Sequence, residues 1–269
     1  MDAKLITEMT TDLKAPEALG VSDKHLRSTA TGGSLLFAGK LFTKGIRFGV
    51  AIVLARFLAA EQYGLYNLGL VVAEIVAALA ALGLGTALVR YIPVMRRQED
   101  RAGIWGILQL GVGIPVLASV LLAAGLFFLA DPIANSLLHD SRMAPLLRLM
   151  SFFVPFFTWN DMAAAATRGF GNMRHTVISQ LLTQPLVKFG LIALLVLFGL
   201  NSARALTATG ISQVVTALLL VWFLNKQFPL NLPLNEGRRM PRELLGFSLP
   251  VYLSGLLNTF GAQFQILFV

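Results

Sequence analysis

Long apolar runs, separated by short polar connections, dominate the pattern of this chain. A helix needs about 20 mostly apolar residues to cross the hydrocarbon core of a bilayer. Seven runs reach that length, and they cover residues 35–58, 65–89, 104–130, 144–166, 177–200, 205–224 and 244–269. The pattern therefore predicts an all-α integral membrane protein, with these runs as spans one to seven.

The composition agrees with a membrane protein and excludes several other classes. The chain of 269 residues is 56% hydrophobic and 13% charged, whereas soluble domains carry about 25% charged residues. The net charge of +8 does not indicate nucleic acid binding, because the basic residues lie in loops beside apolar runs. Cysteine is absent, which excludes disulfides and thiol chemistry.

The distribution of basic residues predicts the orientation of the chain. Residues 1–32 mix acidic and basic side chains and contain no apolar core of a cleavable signal, so they are expected to form a cytosolic tail. Lys and Arg are concentrated in this tail and in the loops after spans two, four and six. Since positively charged loops stay on the cytosolic side, we expect a cytosolic N-terminus.

Span one carries three basic side chains where hydrocarbon is expected. At about 100° per residue, Lys40, Lys44 and Arg47 fall within about 60° of one another on one helix face. Each buried charge costs about 2.5 to 3.5 kcal/mol on insertion scales, and such charges usually face a bundle interior. The stripe therefore predicts a cationic, water-filled cavity. Small residues on the opposite face are expected to pack against neighbouring helices, and they are Ala38, Gly45 and Gly49.

Two acidic residues in the spans are candidates for compensating this charge or for coupling to an ion. Glu74 in span two lies at a depth close to Arg47, and Asp161 in span four at a depth close to Lys44. Opposite charges at equal depth predict ion pairs. Even with both pairs formed, the basic residues of the spans are in excess, which favours an anionic ligand.

Span five contributes a second polar face. Gln180, Gln184 and Lys188 follow at four-residue spacing, and Pro185 removes one backbone donor of the same helix. We expect Gln184 and Lys188 to line the cavity. Span six offers further polar side chains, which either line the cavity or join helices, and they are Thr209, Gln213 and Thr216.

Enzyme chemistry has little support in the sequence. The segment "GGSLLFAGK" has Ser34 and Leu41 where a phosphate-binding loop needs Gly and Ser or Thr. The three histidines form no spaced pair, so no metal site is predicted. The only dyad is His139 and Asp140, which without a nucleophile favours a solvated loop. We therefore predict a protein that is not an enzyme and needs no cofactor.

Four segments of the chain resemble a known family. "LARFLAAEQYGLYNL" (54–68), "GLGTALVRYIPVMRR" (83–97), "RGFGNMRHTV" (168–177) and "FSLPVYLSGLLN" (247–258) are similar in order and spacing to the Wzx-like polysaccharide or oligosaccharide flippases. These belong to the multidrug/oligosaccharidyl-lipid/polysaccharide (MOP) exporter superfamily. The resemblance implies two six-helix lobes around a cavity that opens alternately to each side of the membrane.

The resemblance also implies a division of this chain. Residues 1–32 would be the cytosolic tail, and residues 33–226, with spans one to six, the first transmembrane lobe. Residues 227–243 would form a cytosolic linker between the lobes. Residues 244–269, with span seven, would begin a second lobe.

The function implied by the resemblance is the flipping of undecaprenyl-pyrophosphate-linked oligosaccharides across the bacterial inner membrane. Lys40, Lys44, Arg47, Lys188 and Gln184 are then the expected substrate-binding residues, with the pyrophosphate as their ligand. Membrane lipids and the polysaccharide polymerase machinery are further expected partners. The alternative is a cation-coupled drug antiporter of the multidrug and toxin extrusion (MATE) type. An antiporter would use Glu74 and Asp161 as substrate or proton sites, but the cationic excess argues against it.

Overall fold

Every regular element in the described part of the chain is a helix. The computed structural model describes residue 37, residues 39–228, and residues 246, 248 and 252. We label the main helices in chain order. They are α1 (39–57), α2 (Ala60–Ala81), α3 (Leu84–Arg97), α4 (Arg101–Phe128), α5 (Met143–Gly169), α6 (Met173–Leu197) and α7 (Ser202–Gln227). A short turn, Ala130–Pro132, and a π-helical turn, Ile133–Leu137, connect α4 to α5.

Short polar side chains begin two of these helices. The Asp100 side chain accepts a hydrogen bond from the Gly103 backbone N–H at the start of α4 (2.7 Å). Asn201 does the same for the Arg204 N–H at the start of α7 (2.8 Å). Each contact satisfies one of the backbone donors that a helix N-terminus leaves without a partner. The boundaries of these two helices thus follow from local sequence.

Span two is broken, although its apolar run is continuous. Leu82 and Gly83 both adopt left-handed backbone conformations (φ 49° and 68°), which end α2 before α3 begins. Tyr252 packs at this break, and its hydroxyl donates to the Leu79 carbonyl oxygen (3.0 Å). The predicted single helix over 65–89 is therefore wrong at this point, because apolar composition does not report a reversal of backbone φ.

Helix α5 is the centre of the bundle. It packs against α2, α3, α4 and α7, and its run of small residues 163–166 is almost fully buried. A side chain in place of Gly210 on α7 would overlap the Phe153 ring of α5. Small residues thus bring the helix axes close together, as in other membrane helix bundles.

The outer surface of the bundle is apolar, as a bilayer requires. Four helices of the described part are long and apolar enough to cross a membrane: Ala60–Ala81, Arg101–Phe128, Met173–Leu197 and Ser202–Gln227. Large apolar side chains stand exposed on the bundle, among them Leu121, Phe128, Phe152 and Leu218. These features confirm the predicted all-α membrane fold.

Spans one to six of the prediction correspond to helices of the structure, with α2 and α3 together replacing span two. The tail 1–32 lies outside the described residues, as does most of the predicted linker 227–243 and of span seven, 244–269. The proposed division into lobes stays a prediction.

Candidate functional site

A polar cavity of ≈ 190 Å³ lies inside the bundle between α1, α2, α5, α6 and α7. Its walls carry charged, amide, hydroxyl and tyrosine side chains although the surrounding helices are apolar. The charged lining residues among those described are Arg47, Glu74 and Lys188. A polar cavity within a membrane helix bundle is the usual place for a transporter's binding site.

The structure separates the three basic residues of span one. Arg47 lines the cavity, whereas Lys40 and Lys44 are not among the lining side chains. All three side chains are exposed on α1, so exposure does not distinguish them. The expectation that all three face the cavity is met only by Arg47. The α1 side chains that line the cavity run from Thr43 to Leu54, so Lys40 lies before them and Lys44 points away from their face. The predicted role of the three residues in substrate binding stays a prediction.

The packing face of α1 also differs from the prediction. Gly45 is exposed, and a side chain there would meet no atom within 4 Å. Gly39 is buried instead, and a Cβ at this position would lie 3.0 Å from the Leu181 side chain of α6. Gly49 lies against Phe189 of the same helix. Helix α1 therefore packs through Gly39 and Gly49, and the expectation for Gly45 is wrong. Ala38 lies outside the described residues.

A proline and a threonine fix α6 against α1. Residues Val177–Thr183 of α6 form a π-helical turn immediately before Pro185. Pro185 has no N–H for the Leu181 carbonyl four residues earlier. The Thr43 hydroxyl of α1 lies 2.7 Å from that carbonyl oxygen and 2.8 Å from the Gly39 carbonyl oxygen, so it donates between the two. This contact positions the polar face of α6 beside Arg47.

Lys188 is held over an aromatic ring. Its ammonium nitrogen lies 5.6 Å from the centroid of the Tyr66 ring, within the range of a cation–π interaction. Tyr66 is only 3% exposed, and its hydroxyl forms a hydrogen bond with the Thr209 hydroxyl (3.3 Å). Both Tyr66 and Thr209 line the cavity. Lys188 thus meets the expectation that it faces the cavity, as does Gln184.

A buried amide network supports the cavity wall, and sequence reasoning missed its central residue. The Asn160 side-chain amide donates to the backbone oxygen of Gln213 (2.9 Å) and to its side-chain oxygen (2.8 Å). Gln180 donates to the Asn160 carbonyl oxygen (3.0 Å). Gln180 and Gln213 line the cavity. An asparagine within a membrane span was the available signal, since an amide there needs a partner.

Two polar residues of span six combine both predicted roles. Thr209 and Gln213 line the cavity and also join helices, through Tyr66 of α2 and Asn160 of α5. The buried Thr216 hydroxyl does neither among the described contacts, because it donates to the Ser212 carbonyl oxygen of its own helix (2.8 Å).

The two acidic candidates occupy different surroundings. Glu74 lines the same cavity as Arg47. Asp161 is not among the lining residues and is exposed on α5. Its pair with Lys44 stays a prediction. The Arg47–Glu74 pair stays a prediction.

We expect Arg47 and Glu74 to be coupled electrostatically. Reversing either charge alone should lower protein stability, because it gives residues 47 and 74 charges of the same sign in one cavity. Reversing both, as Arg47→Glu with Glu74→Arg, should restore part of the loss. A double-mutant cycle on thermal stability measures the coupling, and an interaction energy of zero would refute the pair.

The His139–Asp140 dyad belongs to an ion cluster between helix ends. Asp140 accepts hydrogen bonds from the Arg142 Nε (3.0 Å), Nη2 (2.8 Å) and backbone N–H (2.9 Å). Arg142 also contacts the Glu61 carboxylate (2.7 Å). The hydrogen bonds from Arg142 lower the pKa of the Asp140 carboxyl below its ordinary value. Asp140 therefore stays ionised at neutral pH, and its hydrogen bonds with Arg142 order this loop.

The fold is that of transporters of the MOP superfamily. The chain superposes on an outward-facing multidrug resistance MATE family transporter of that superfamily with a TM-score of 0.66 and 18% identity, covering 88% of this chain and 54% of the other. It also superposes on a MOP superfamily transporter from Pyrococcus furiosus Vc1, which is described as having a binding pocket of reverse polarity. There the TM-score is 0.60 with 18% identity, over 90% of this chain and 52% of the other.

Residues 29–269 match the profile of the family described as "Polysaccharide biosynthesis protein". The chain belongs to this family, and the resemblance found in its four segments is confirmed.

Two curated relatives are named for processes in bacteria. The succinoglycan biosynthesis transport protein ExoT of Rhizobium meliloti (strain 1021) is 28% identical over 147 residues, which is 55% of this chain and 28% of the relative. The stage V sporulation protein B of Bacillus subtilis (strain 168) is 25% identical over 162 residues, or 60% of this chain and 31% of the relative. The chain thus matches about a third of the length of these relatives and about half of the solved structures.

Proposed function

We propose that this protein takes part in flipping undecaprenyl-pyrophosphate-linked oligosaccharides across the bacterial inner membrane for surface polysaccharide synthesis. The observation that carries the proposal is the position of Arg47 and Lys188 in one membrane-embedded cavity. Family membership and the MOP fold support a transporter. The alternating opening of the cavity, the cytosolic N-terminus and a contact with the polymerase machinery belong to the same proposal.

The charge and shape of the cavity suit a phosphate group with a polar substituent. Arg47 and Lys188 exceed the single acid Glu74 among the described lining residues. A guanidinium binds phosphate through two parallel hydrogen bonds, and an ammonium contributes a compact positive charge. Amide side chains beside them, Gln180 and Gln184, supply both donors and acceptors. Lys40 and Lys44, on the same helix but outside the cavity lining, would meet the phosphate on its way in or out.

The class of ligand that stabilises the purified protein should identify the class of its substrate. Purified protein would be heated with undecaprenyl-pyrophosphate-linked oligosaccharides of different sugar composition, and separately with lipophilic cationic drugs. A ligand at 100 times its dissociation constant stabilises a protein by about 2.7 kcal/mol, so the unfolding midpoint should rise measurably. We expect the lipid pyrophosphates to raise it by similar amounts, whatever their sugar.

The same experiment distinguishes the flippase from the alternative function, a cation-coupled drug antiporter. Stabilisation by the cationic drugs alone would refute the flippase and favour the drug antiporter, with Glu74 as the site of the cation. Undecaprenyl monophosphate serves as the control for binding of the lipid tail, and it should stabilise the protein less than the pyrophosphate.

A further inference from the structure

A second cavity, of ≈ 1050 Å³, lies at one end of the bundle and shares no lining residue with the first. It is formed where α3 meets α4, where α5 turns into α6, and where α7 ends. Charged side chains and aromatic rings line it together. This second cavity has no role in the transport proposed above.

Three stacked aromatic rings form its apolar wall. Phe228 lies between Trp105 and Phe170, with ring centroids 6.1 Å apart in each pair and interplanar angles of 24° and 22°. All three side chains are at least nine-tenths buried. The stack joins the ends of α4, α5 and α7, so three helices hold this wall in place.

Charges of both signs stand at the rim. Arg96, Glu99 and Arg101 line the cavity and are exposed. Arg96 donates through Nη1 to the Phe170 carbonyl oxygen (2.7 Å), which fixes the guanidinium and leaves it further N–H donors. Glu99 is held in a left-handed backbone conformation (φ 55°) between the two arginines, and its N–H donates to the Arg96 carbonyl oxygen (3.2 Å).

We propose that this cavity binds the headgroup of a phospholipid that carries an amine, of the phosphoethanolamine type. Arg96 and Arg101 bind the phosphate, and Glu99 binds the ammonium group. The cavity lies at the ends of membrane helices, where lipid headgroups are the most concentrated ligand and where tryptophan is enriched. The aromatic wall accommodates the glycerol and the first part of an acyl chain.

The Glu99 carboxylate beside the Arg96 and Arg101 guanidiniums favours some lipid headgroups over others. A purely anionic headgroup, such as that of phosphatidylglycerol, would place hydroxyl groups near Glu99. It offers no positive charge to pair with the Glu99 carboxylate. Phosphatidylcholine keeps the positive charge but has no N–H to donate to the carboxylate. The arrangement therefore favours phosphatidylethanolamine over both.

The test measures thermal unfolding of the delipidated protein in detergent, with phosphatidylethanolamine, phosphatidylglycerol or phosphatidylcholine added. We expect the largest increase of the unfolding midpoint with phosphatidylethanolamine. Arg101→Gln should weaken its binding by roughly tenfold, the magnitude of one charge-assisted hydrogen bond. Glu99→Gln should remove the preference over phosphatidylglycerol, because it weakens binding of the amine-carrying lipid and removes the unpaired carboxylate that disfavours the anionic one.

Arg97→Gln is the matched control, because Arg97, at the end of α3, is an exposed arginine close to Arg101 in the chain and is not among the residues that line the cavity. Native mass spectrometry of each variant reports lipid bound to folded protein, so a variant that folds poorly still gives a result. Equal stabilisation by all three lipids, or an equal effect of Arg97→Gln and Arg101→Gln, would refute the site. Equal stabilisation by water-soluble glycerophosphoethanolamine would show a soluble ligand and would also overturn the lipid assignment.

Discussion

Under the proposed flippase function, replacing Arg47 with alanine is expected to reduce export of surface polysaccharide strongly while the protein remains in the membrane. Arg47 is the basic residue of α1 that lines the cavity, beside Lys188 of α6. Losing a charge-assisted contact to phosphate costs about 1.5 to 3 kcal/mol, or roughly 10- to 100-fold in affinity. Complementation of a strain that lacks the transporter, with the amount of membrane protein quantified, measures the loss.

Further substitutions in and near the cavity test whether the positive charge of Arg47 is sufficient or whether its paired hydrogen-bonding geometry is also needed. Arg47→Lys should restore only part of the export, because lysine cannot form the paired contact with phosphate. Lys188→Ala should also reduce export strongly, whereas Tyr66→Phe keeps the ring beneath Lys188 and should be mild. Lys44→Ala should be milder than Arg47→Ala, since Lys44 does not line the cavity.

Arg56→Ala is the control for a basic residue of the same helix outside the cavity. Arg56 is exposed and is not a lining residue, so its loss should leave export unchanged. Normal export by Arg47→Ala would show that the cavity does not bind the phosphate. An equal loss in Arg56→Ala would indicate a general effect of charge on α1 instead.

Replacing Gly83 with alanine is expected to destabilise the protein strongly. Gly83 adopts φ 68°, and an added Cβ would lie 2.7 Å from the Ser248 carbonyl oxygen and 2.9 Å from the Tyr252 Cβ. The left-handed conformation alone costs an alanine about 1 to 2 kcal/mol. The overlap with a backbone oxygen adds to this because no flexible side chain can move away. The unfolding midpoint of the purified protein should fall by roughly 5 °C or more.

The matched control is the same substitution at Gly45, which is helical, exposed and has no neighbour within 4 Å of an added Cβ. Gly45→Ala should leave the midpoint unchanged or raise it, because alanine favours the helix by about 0.5 to 1 kcal/mol. Tyr252→Phe, which loses the hydrogen bond to Leu79, should cause an intermediate loss. If Gly83→Ala and Gly45→Ala behave alike, the break between α2 and α3 does not depend on glycine.

Some features of the protein could be predicted from the sequence because they depend on residues close together in the chain. Runs of about 20 apolar residues predicted the helices that the structure contains, since a bilayer demands that length and internally paired backbone groups. Four-residue spacing placed Gln184 and Lys188 on one face, and both line the cavity.

Other features depend on which helix lies next to which, and local pattern contains no such information. Lys40, Lys44 and Arg47 share a helix face, yet only Arg47 lines the cavity, because the lining side chains of α1, from Thr43 to Leu54, are centred on a different direction around the helix. The break at Gly83 was missed because a reversal of φ leaves hydropathy unchanged.

The sequence by itself determined that this chain is a bundle of membrane helices with a cationic stripe and a family resemblance to flippases. Tertiary structure alone decided which polar groups share a cavity. Thr43 meets the Leu181 carbonyl, Lys188 lies over Tyr66, and Asn160 joins Gln213, although the partners in each pair are far apart in the chain. Such contacts arise from the packing of small residues between helices, where a shift of one residue changes which side chain faces the interior.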